Sequence, residues 1–209
     1  MIGNFIRYLM LSIVLSLGAF AAASSYAQDY PSLLAAPDRT EADRQNDKKR
    51  EAEKLLTFIG PRPGWRVLDM AAGAGYSTEL MARAVAPGGK VYAQNDKASE
   101  KLAARMKTPA MANAVEVVLP FDNLSDPELH DLDLVTFLFG YHDTTFMAPR
   151  SAKPCTASPR RRYETRFERA GFAFVADADF LRHPEDTRTN IVFKNPTPND
   201  EFVLKFRKP

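Results

Sequence analysis

The sequence predicts an α/β fold: a mostly parallel sheet with helices on both faces and its last two strands as an antiparallel hairpin. Three observations predict it. Trp65 to Met70 is a short apolar run that meets a glycine-containing turn, Ala71-Ala-Gly73-Ala-Gly75, and then a helical pattern from about Tyr76 to Val85. A second apolar run, Lys90 to Gln94, follows Ala86-Pro87-Gly88-Gly89 at the distance that a right-handed parallel crossover needs. Asp131 to Gly140 is the most apolar stretch beyond the N-terminal segment and reads as a central strand of the same sheet.

The chain has 209 residues, enough for one ordinary core at 45% hydrophobic content, and its formal charge is +2. So small a charge gives no reason to expect nucleic acid as a partner. Residues 1–27 read as a signal peptide: Arg7 precedes the apolar run Tyr8 to Ala23, and Ser25-Tyr26-Ala27 offers small residues for cleavage after Ala27. The expected location is periplasmic or secreted, with no stable membrane insertion after cleavage; an uncleaved N-terminal anchor is the alternative. Cys155 is the single cysteine, so the protein must hold together by packing and not by an internal disulfide.

Residues 28–40, rich in Pro, Ala and polar groups, read as a linker, and 41–209 as the domain. Thr40 to Ile59 reads as one charged helix with Asp38 or Thr40 as N-cap, stopped by Gly60-Pro61-Arg62-Pro63-Gly64. It is expected to cap the sheet; a lid over a ligand is the alternative. Ser99 to Met106 is expected to form a helix and Val115 to Leu119 a third strand. Near the end, Glu164 to Ala170 reads as a short helix, and Phe172 to Ala176 and Glu201 to Phe206 as strands, with a long loop over Phe180 to Pro198.

The stretch Val67 to Thr78 resembles the first motif of class I methyltransferases that use S-adenosylmethionine (SAM), roughly acidic-x-Gly-x-Gly-x-Gly, which reads here Asp69, Ala71, Gly73, Gly75. The resemblance implies a Rossmann-like sheet and SAM as cofactor, held by Asp69, Ala71, Gly73, Gly75 and Tyr76. Asn95 and Asp96 end the second strand 22 and 23 residues beyond Gly73. In this topology an acid there accepts bonds from ribose hydroxyls. By strand end Asn95 takes that place, and Asp96 can swing in. The loop after the third strand contacts adenine in the resembling enzymes, which gives Phe121 a role over the ring and Asp122 one at the amino group; Asp and Asn are also ordinary turn formers. Tyr141, His142 and Asp143 stand beyond the carboxyl end of the fourth strand, where an acceptor substrate would lie. His130 and His183 show no ligand spacing with them, so no metal is expected. Methyl transfer rests on proximity, and no catalytic residue is assigned.

An NAD site on the same topology would need Gly-x-Gly-x-x-Gly, and Gly73-Ala-Gly75-Tyr-Ser-Thr78 lacks the third glycine. A non-catalytic or degenerate nucleotide-binding exported protein is the other alternative, because the pattern breaks after strand four. Ala148 to Tyr163 has no Val, Ile, Leu or Phe, so the central strand that the family places next is missing. Three explanations compete: a basic loop in which Arg160, Arg161 and Arg162 meet an anion, a last strand closing directly onto strand four, or an internal segment lost or misread from the gene. The third is the reading adopted, and it implies impaired activity. An unpaired central strand would cost roughly 1–3 kcal/mol for each unsatisfied backbone group.

Overall fold

The computed structural model describes residues 28–121, 123–138, 164–165, 167–186 and 198–208. In chain order these form α1 (Tyr30–Leu34), α2 (Glu41–Lys49), α3 (Ala52–Ile59), β1 (Arg66–Met70), α4 (Tyr76–Val85), β2 (Lys90–Asn95) and α5 (Glu100–Arg105). A 3-10 turn (Pro109–Met111), β3 (Ala114–Val118), β4 (Leu134–Phe137), β5 (Ala173–Ala178) and β6 (Val203–Arg207) complete them.

Four strands make a parallel sheet in the order β3-β2-β1-β4, the arrangement of a Rossmann-like half-sheet. Alternation along the strands sends Val67, Val91 and Ala93 to one face, where Leu55 and Leu56 of α3, Leu80, Met81 and Val85 of α4, and Leu102 of α5 bury them. Leu68, Tyr92 and Val117 point to the other face and pack with Leu119, Leu124, Leu129 and Leu132. Among the described residues, helices cover the first face, and the irregular segment after β3 covers the second. β1 and β2 each have a strand on both sides, so the site at their carboxyl ends rests on the most constrained part of the sheet.

Four elements differ from the sequence expectation. The stretch 28–40 is packed, not a free linker: Asp29 caps α1, Tyr30 joins the core, and the buried Arg39 side chain pairs with Asp47. Proline and alanine composition hid this, because one buried ring and one paired guanidinium hold the segment. Thr40 to Ile59 is two helices. Thr40 does cap the first, in a reciprocal box with Asp43, but Arg50 ends α2 and Glu51 turns left-handed at φ +47° before α3 restarts.

Strand four is shorter than Asp131 to Gly140 and lies at the sheet edge among the described residues, with Val135 52% exposed. Asp133 is spent on alignment: its Oδ2 accepts from Arg66 N at 2.8 Å and its own N donates to Arg66 O at 2.9 Å. Finally, β5 and β6 form the expected antiparallel hairpin, but as a separate two-stranded sheet, so the last strand does not close onto β4. The hairpin is docked through Val203 and Leu181 in the main core. Lys205 Nζ also donates to the Phe58 and Ile59 carbonyls at 3.1 and 3.0 Å, placing a cation on the last turn of α3.

Candidate functional site

Between β1 and α4 the backbone turns through three left-handed residues, Ala71 at φ +55°, Gly73 at +58° and Gly75 at +83°. The two glycines serve different ends. A Cβ on Gly75 would stand 2.6 Å from Leu102 Cδ1, so Gly75 lets α4 start against α5. A Cβ on Gly73 would meet nothing nearer than Ala71 O at 3.9 Å, and Gly73 and Ala74 are exposed. It is Gly73, therefore, that presents open backbone at the carboxyl ends of the strands.

The end of β2 holds this loop. Gln94 Oε1 accepts from Ala71 N at 3.2 Å and Gln94 O from Ala72 N at 2.9 Å, while Gln94 Nε2 donates to Leu119 O at 2.5 Å. Asn95 grips Gly73 from both sides of one residue: Oδ1 accepts from its N–H at 2.8 Å, and Nδ2 donates to its carbonyl at 3.2 Å. A carboxylate could make only the first of these bonds. The amide expected to meet a ribose is thus engaged with the loop, and the neighbouring Asp96 is the exposed acid at the strand end.

Asp69 is fully buried and lies behind the loop, not in it. Its Oδ2 accepts from Ser77 Oγ at 2.8 Å and Thr78 Oγ1 at 2.7 Å, and its Oδ1 from Thr136 Oγ1 at 2.8 Å. One side chain so ties β1, the first turn of α4 and β4 together. Burial pushes its pKa above the ordinary carboxylate value, and the three hydroxyls, with Arg50 more distant, pull the other way.

Tyr76, the first residue of α4, donates its hydroxyl to Asp47 Oδ1 at 2.7 Å, and the Arg50 guanidinium lies 4.8 Å from its ring centroid. Burial, and then the bond to Asp47, pushes the Tyr76 pKa up, while burial pulls that of Arg50 down. Asp47 is in turn held by Arg39, whose Nη2 donates to Oδ1 at 2.9 Å. Glu79, one turn further along α4, collects Arg39, Arg83 and Arg105, and Arg105 also reaches Asp43 at 2.7 Å. This largely buried network straps the N-terminal helices to the far side of the loop.

Of the expected site residues, Asp69, Ala71, Gly73, Gly75, Tyr76 and Asn95 come together around one turn. Phe121 is half-buried at the end of the adjacent strand, its ring 6.2 Å from that of Phe137. Asp122, Tyr141, His142 and Asp143 lie outside the described residues. Sequence reasoning gave no role to Gln94, Ser77, Thr78 or Thr136. Thr136 had a visible signal, being the one polar residue within Leu134 to Phe139. Gln94 had none, since a polar residue at a strand end is commonplace.

No family model matches the chain. A protein-L-isoaspartate O-methyltransferase of Aeropyrum pernix is 50% identical over 40 residues, 19% of this chain, and the chain thus spans 15% of that curated relative's length. Among solved structures, a SAM-dependent methyltransferase from Aquifex aeolicus is 18% identical with a TM-score of 0.48, covering 61% of this chain and 82% of its own. A SAM-dependent O-methyltransferase from Thermotoga maritima is also 18% identical, with a TM-score of 0.42 over 62% of this chain and 52% of its own.

Proposed function

We propose that this protein binds SAM at the Ala71–Gly75 turn and transfers its methyl group to an acceptor still to be identified, a small molecule or another nucleophile. The observation that carries the reading is the Gly73-Ala74 backbone, exposed at the carboxyl ends of two central parallel strands and fixed from behind by Gln94 and Asn95. The open space beside Gly73 fits a ligand that must approach the main chain closely. The 40-residue match to a methyltransferase supports the same choice. SAM supplies a sulfonium methyl that passes in line to a nucleophile. The chain's own part is placement: Gly73 admits the ligand, Asp96 is the acid within reach of ribose hydroxyls, and Phe121 offers an apolar surface for the base.

Thermal unfolding of the full chain with SAM and with S-adenosylhomocysteine tests binding. A ligand at 100 times its Kd adds about 2.7 kcal/mol, and no shift with either sinks the reading. Transfer of radiolabelled methyl to candidate acceptors then separates an enzyme from the second reading, an exported binding protein without catalysis. That second reading is favoured by one observation, the engagement of Asn95 with Gly73 where a ribose acceptor is usual.

The proposal extends to export and to the break after β4. Arg7, the apolar run to Ala23 and Ser25-Tyr26-Ala27 support cleavage after Ala27. Gln28, the next residue, already donates to the Ala84 carbonyl of α4. Mass spectrometry of the mature N-terminus should find Gln28 first. Among the described residues no helix is long and apolar enough to cross a membrane. Loss of a coding segment near Pro149 and Ser151 is supported by the composition of 148–163. Resequencing that gives an intact frame would move weight to a basic loop.

A further inference from the structure

We infer that Gln94 is a positioning residue: its one buried amide holds the segment that carries Phe121 in register with the Ala71–Gly75 turn, and so sets how strongly the site selects a ligand for its base. The inference rests on the SAM reading and deepens it, adding to the turn itself the spacing between two loops.

Alternation along β2 sends Gln94 to the face of Leu68, Tyr92 and Val117, an apolar one, and its side chain is inaccessible there. A buried carboxamide is costly unless both of its ends are bonded. Both are. Oε1 accepts from Ala71 N at 3.2 Å, and Nε2 donates to Leu119 O at 2.5 Å. Ala71 is the first residue after β1 and Leu119 the first after β3, while β2 lies between those two strands. The side chain is therefore a strut from one loop to the other. Each partner also stands two residues before a residue that the SAM reading turns to the ligand, Gly73 on one side and Phe121 on the other.

The two ends of the strut are unequally supported. The turn keeps further bonds to β2, because Gln94 O accepts from Ala72 N at 2.9 Å and the Asn95 side chain bonds both polar groups of the Gly73 main chain. On the other side Leu119 N donates to Asn95 O at 3.0 Å, but the next residue, Pro120, has no N–H to continue the ladder. The Leu119 carbonyl that leads into Pro120 and Phe121 is held by Gln94. Loss of the strut thus displaces the Phe121 side more than the turn, and with it a half-buried ring that meets Phe137 at 6.2 Å. Only an amide of this length does the work: a carboxylate has no donor for Leu119 O, and an apolar side chain has neither donor nor acceptor.

The test is calorimetric titration of the full 209-residue chain with S-adenosylhomocysteine and with S-ribosylhomocysteine, which lacks the base. Wild type should bind the adenosyl compound about tenfold or more tightly, the scale of one base resting on an aromatic ring. Gln94→Met keeps the length of the side chain and removes both bonds. It should bring the ratio within about threefold and leave S-ribosylhomocysteine close to its wild-type affinity. Combined with Phe121→Ala, it should cost no more base selectivity than Phe121→Ala alone, because the strut acts through that ring. Ile59→Val, a truncation in the α3 core, should lower stability and leave the ratio unchanged. Should Gln94→Met fail to fold, Gln94→Asn, an amide too short to reach both partners, decides the matter by the same fall in the ratio. An undiminished ratio in the Gln94 variants, additive losses in the double variant, or an equal fall in Ile59→Val overturns the inference and leaves cofactor binding standing, as does a wild type that binds both compounds equally. A wild type that binds neither overturns both readings.

Discussion

The two halves of the molecule are built to different standards. From β1 to β2 nearly every polar group near the turn has a partner, and the strands beneath are buried: Val67, Asp69, Val91, Tyr92, Ala93 and Gln94 are all inaccessible. From β4 onward the described residues are less well covered. Val135 on the edge strand, and Phe174 and Val175 on β5, are exposed apolar residues, and the hairpin is a sheet of its own. The difference teaches where the fold is determined. The turn itself is held chiefly by bonds between β1, β2 and α4, whereas among the described residues the β5–β6 hairpin depends on long-range docking to the main core and α3.

The sharpest way to break this comparison is at the tight turn. Gly75→Ala combines a left-handed backbone with a Cβ 2.6 Å from the buried Leu102, and should destabilise by about 3 kcal/mol in denaturant unfolding. Gly73→Ala meets open space and should cost only about 1 kcal/mol, while weakening ligand binding more than Gly75→Ala does per unit of stability lost. Equal losses would mean that the two glycines are not divided between packing and ligand approach.

Asp69 offers a test by pH. Its folded pKa lies above the unfolded value, so folding binds a proton between the two. The stability this contributes is complete below the ordinary carboxylate range and is lost as pH rises through the folded value. Asp69→Asn keeps an acceptor for the hydroxyls and removes the titration. Its stability relative to wild type should therefore improve as pH rises above the ordinary carboxylate range. Asp38 and Asp43, whose pKa values are lowered by Arg83 and Arg105, give slopes of opposite sign that cancel in the difference. A flat difference would show that Asp69 is no more costly to ionise inside than outside.

Asn95→Asp is the next test in size. It removes the donor to the Gly73 carbonyl and places a charge beside that oxygen, which should cost about 1 kcal/mol of stability. It also restores an acid where a ribose would lie, so SAM affinity should hold or rise although the loop is looser. A parallel fall in stability and affinity would show that the amide's grip on the loop matters more than any ribose contact.

What the sequence made legible follows the same division. Gly73 and Gly75 announced left-handed backbone, and the apolar runs at 67–70 and 90–94 announced buried parallel strands, because these signals are local. The break at Arg50 and Glu51 was not legible, since both are good helix formers and the reasons to leave the helix sit on Tyr76 and beyond. Asn95 was placed correctly at its strand end. One amide in a sequence, however, does not say whether it faces a sugar or a peptide. Nor could composition reveal that Tyr30 and Arg39 pin down the stretch at 28–40. Among the described residues β4 lies at an edge and the hairpin is a sheet of its own, while Tyr141, His142 and Asp143 fall outside the described residues, and so does the interrupted stretch 148–163.

The smallest effect concerns Ala71, and it sharpens the comparison most. Ala71 sits at φ +55° where the resembling family carries glycine, held there by its N–H bond to Gln94 Oε1. An L-residue with a Cβ pays roughly 1–2 kcal/mol in that region. Glycine would relieve the strain but lose about 0.4–1 kcal/mol through the freer unfolded chain. Ala71→Gly should therefore stabilise by about 0.5 kcal/mol, a gain read as a slightly higher denaturant midpoint at unchanged slope. The sign is the informative part. Strain that survives in the tightest unit of the protein means that Gln94, Asn95 and Asp69 hold the turn against a local cost. A neutral or negative result would place the rigidity of this half in the packing of α4 and α5, and not in the bonds that encircle the loop.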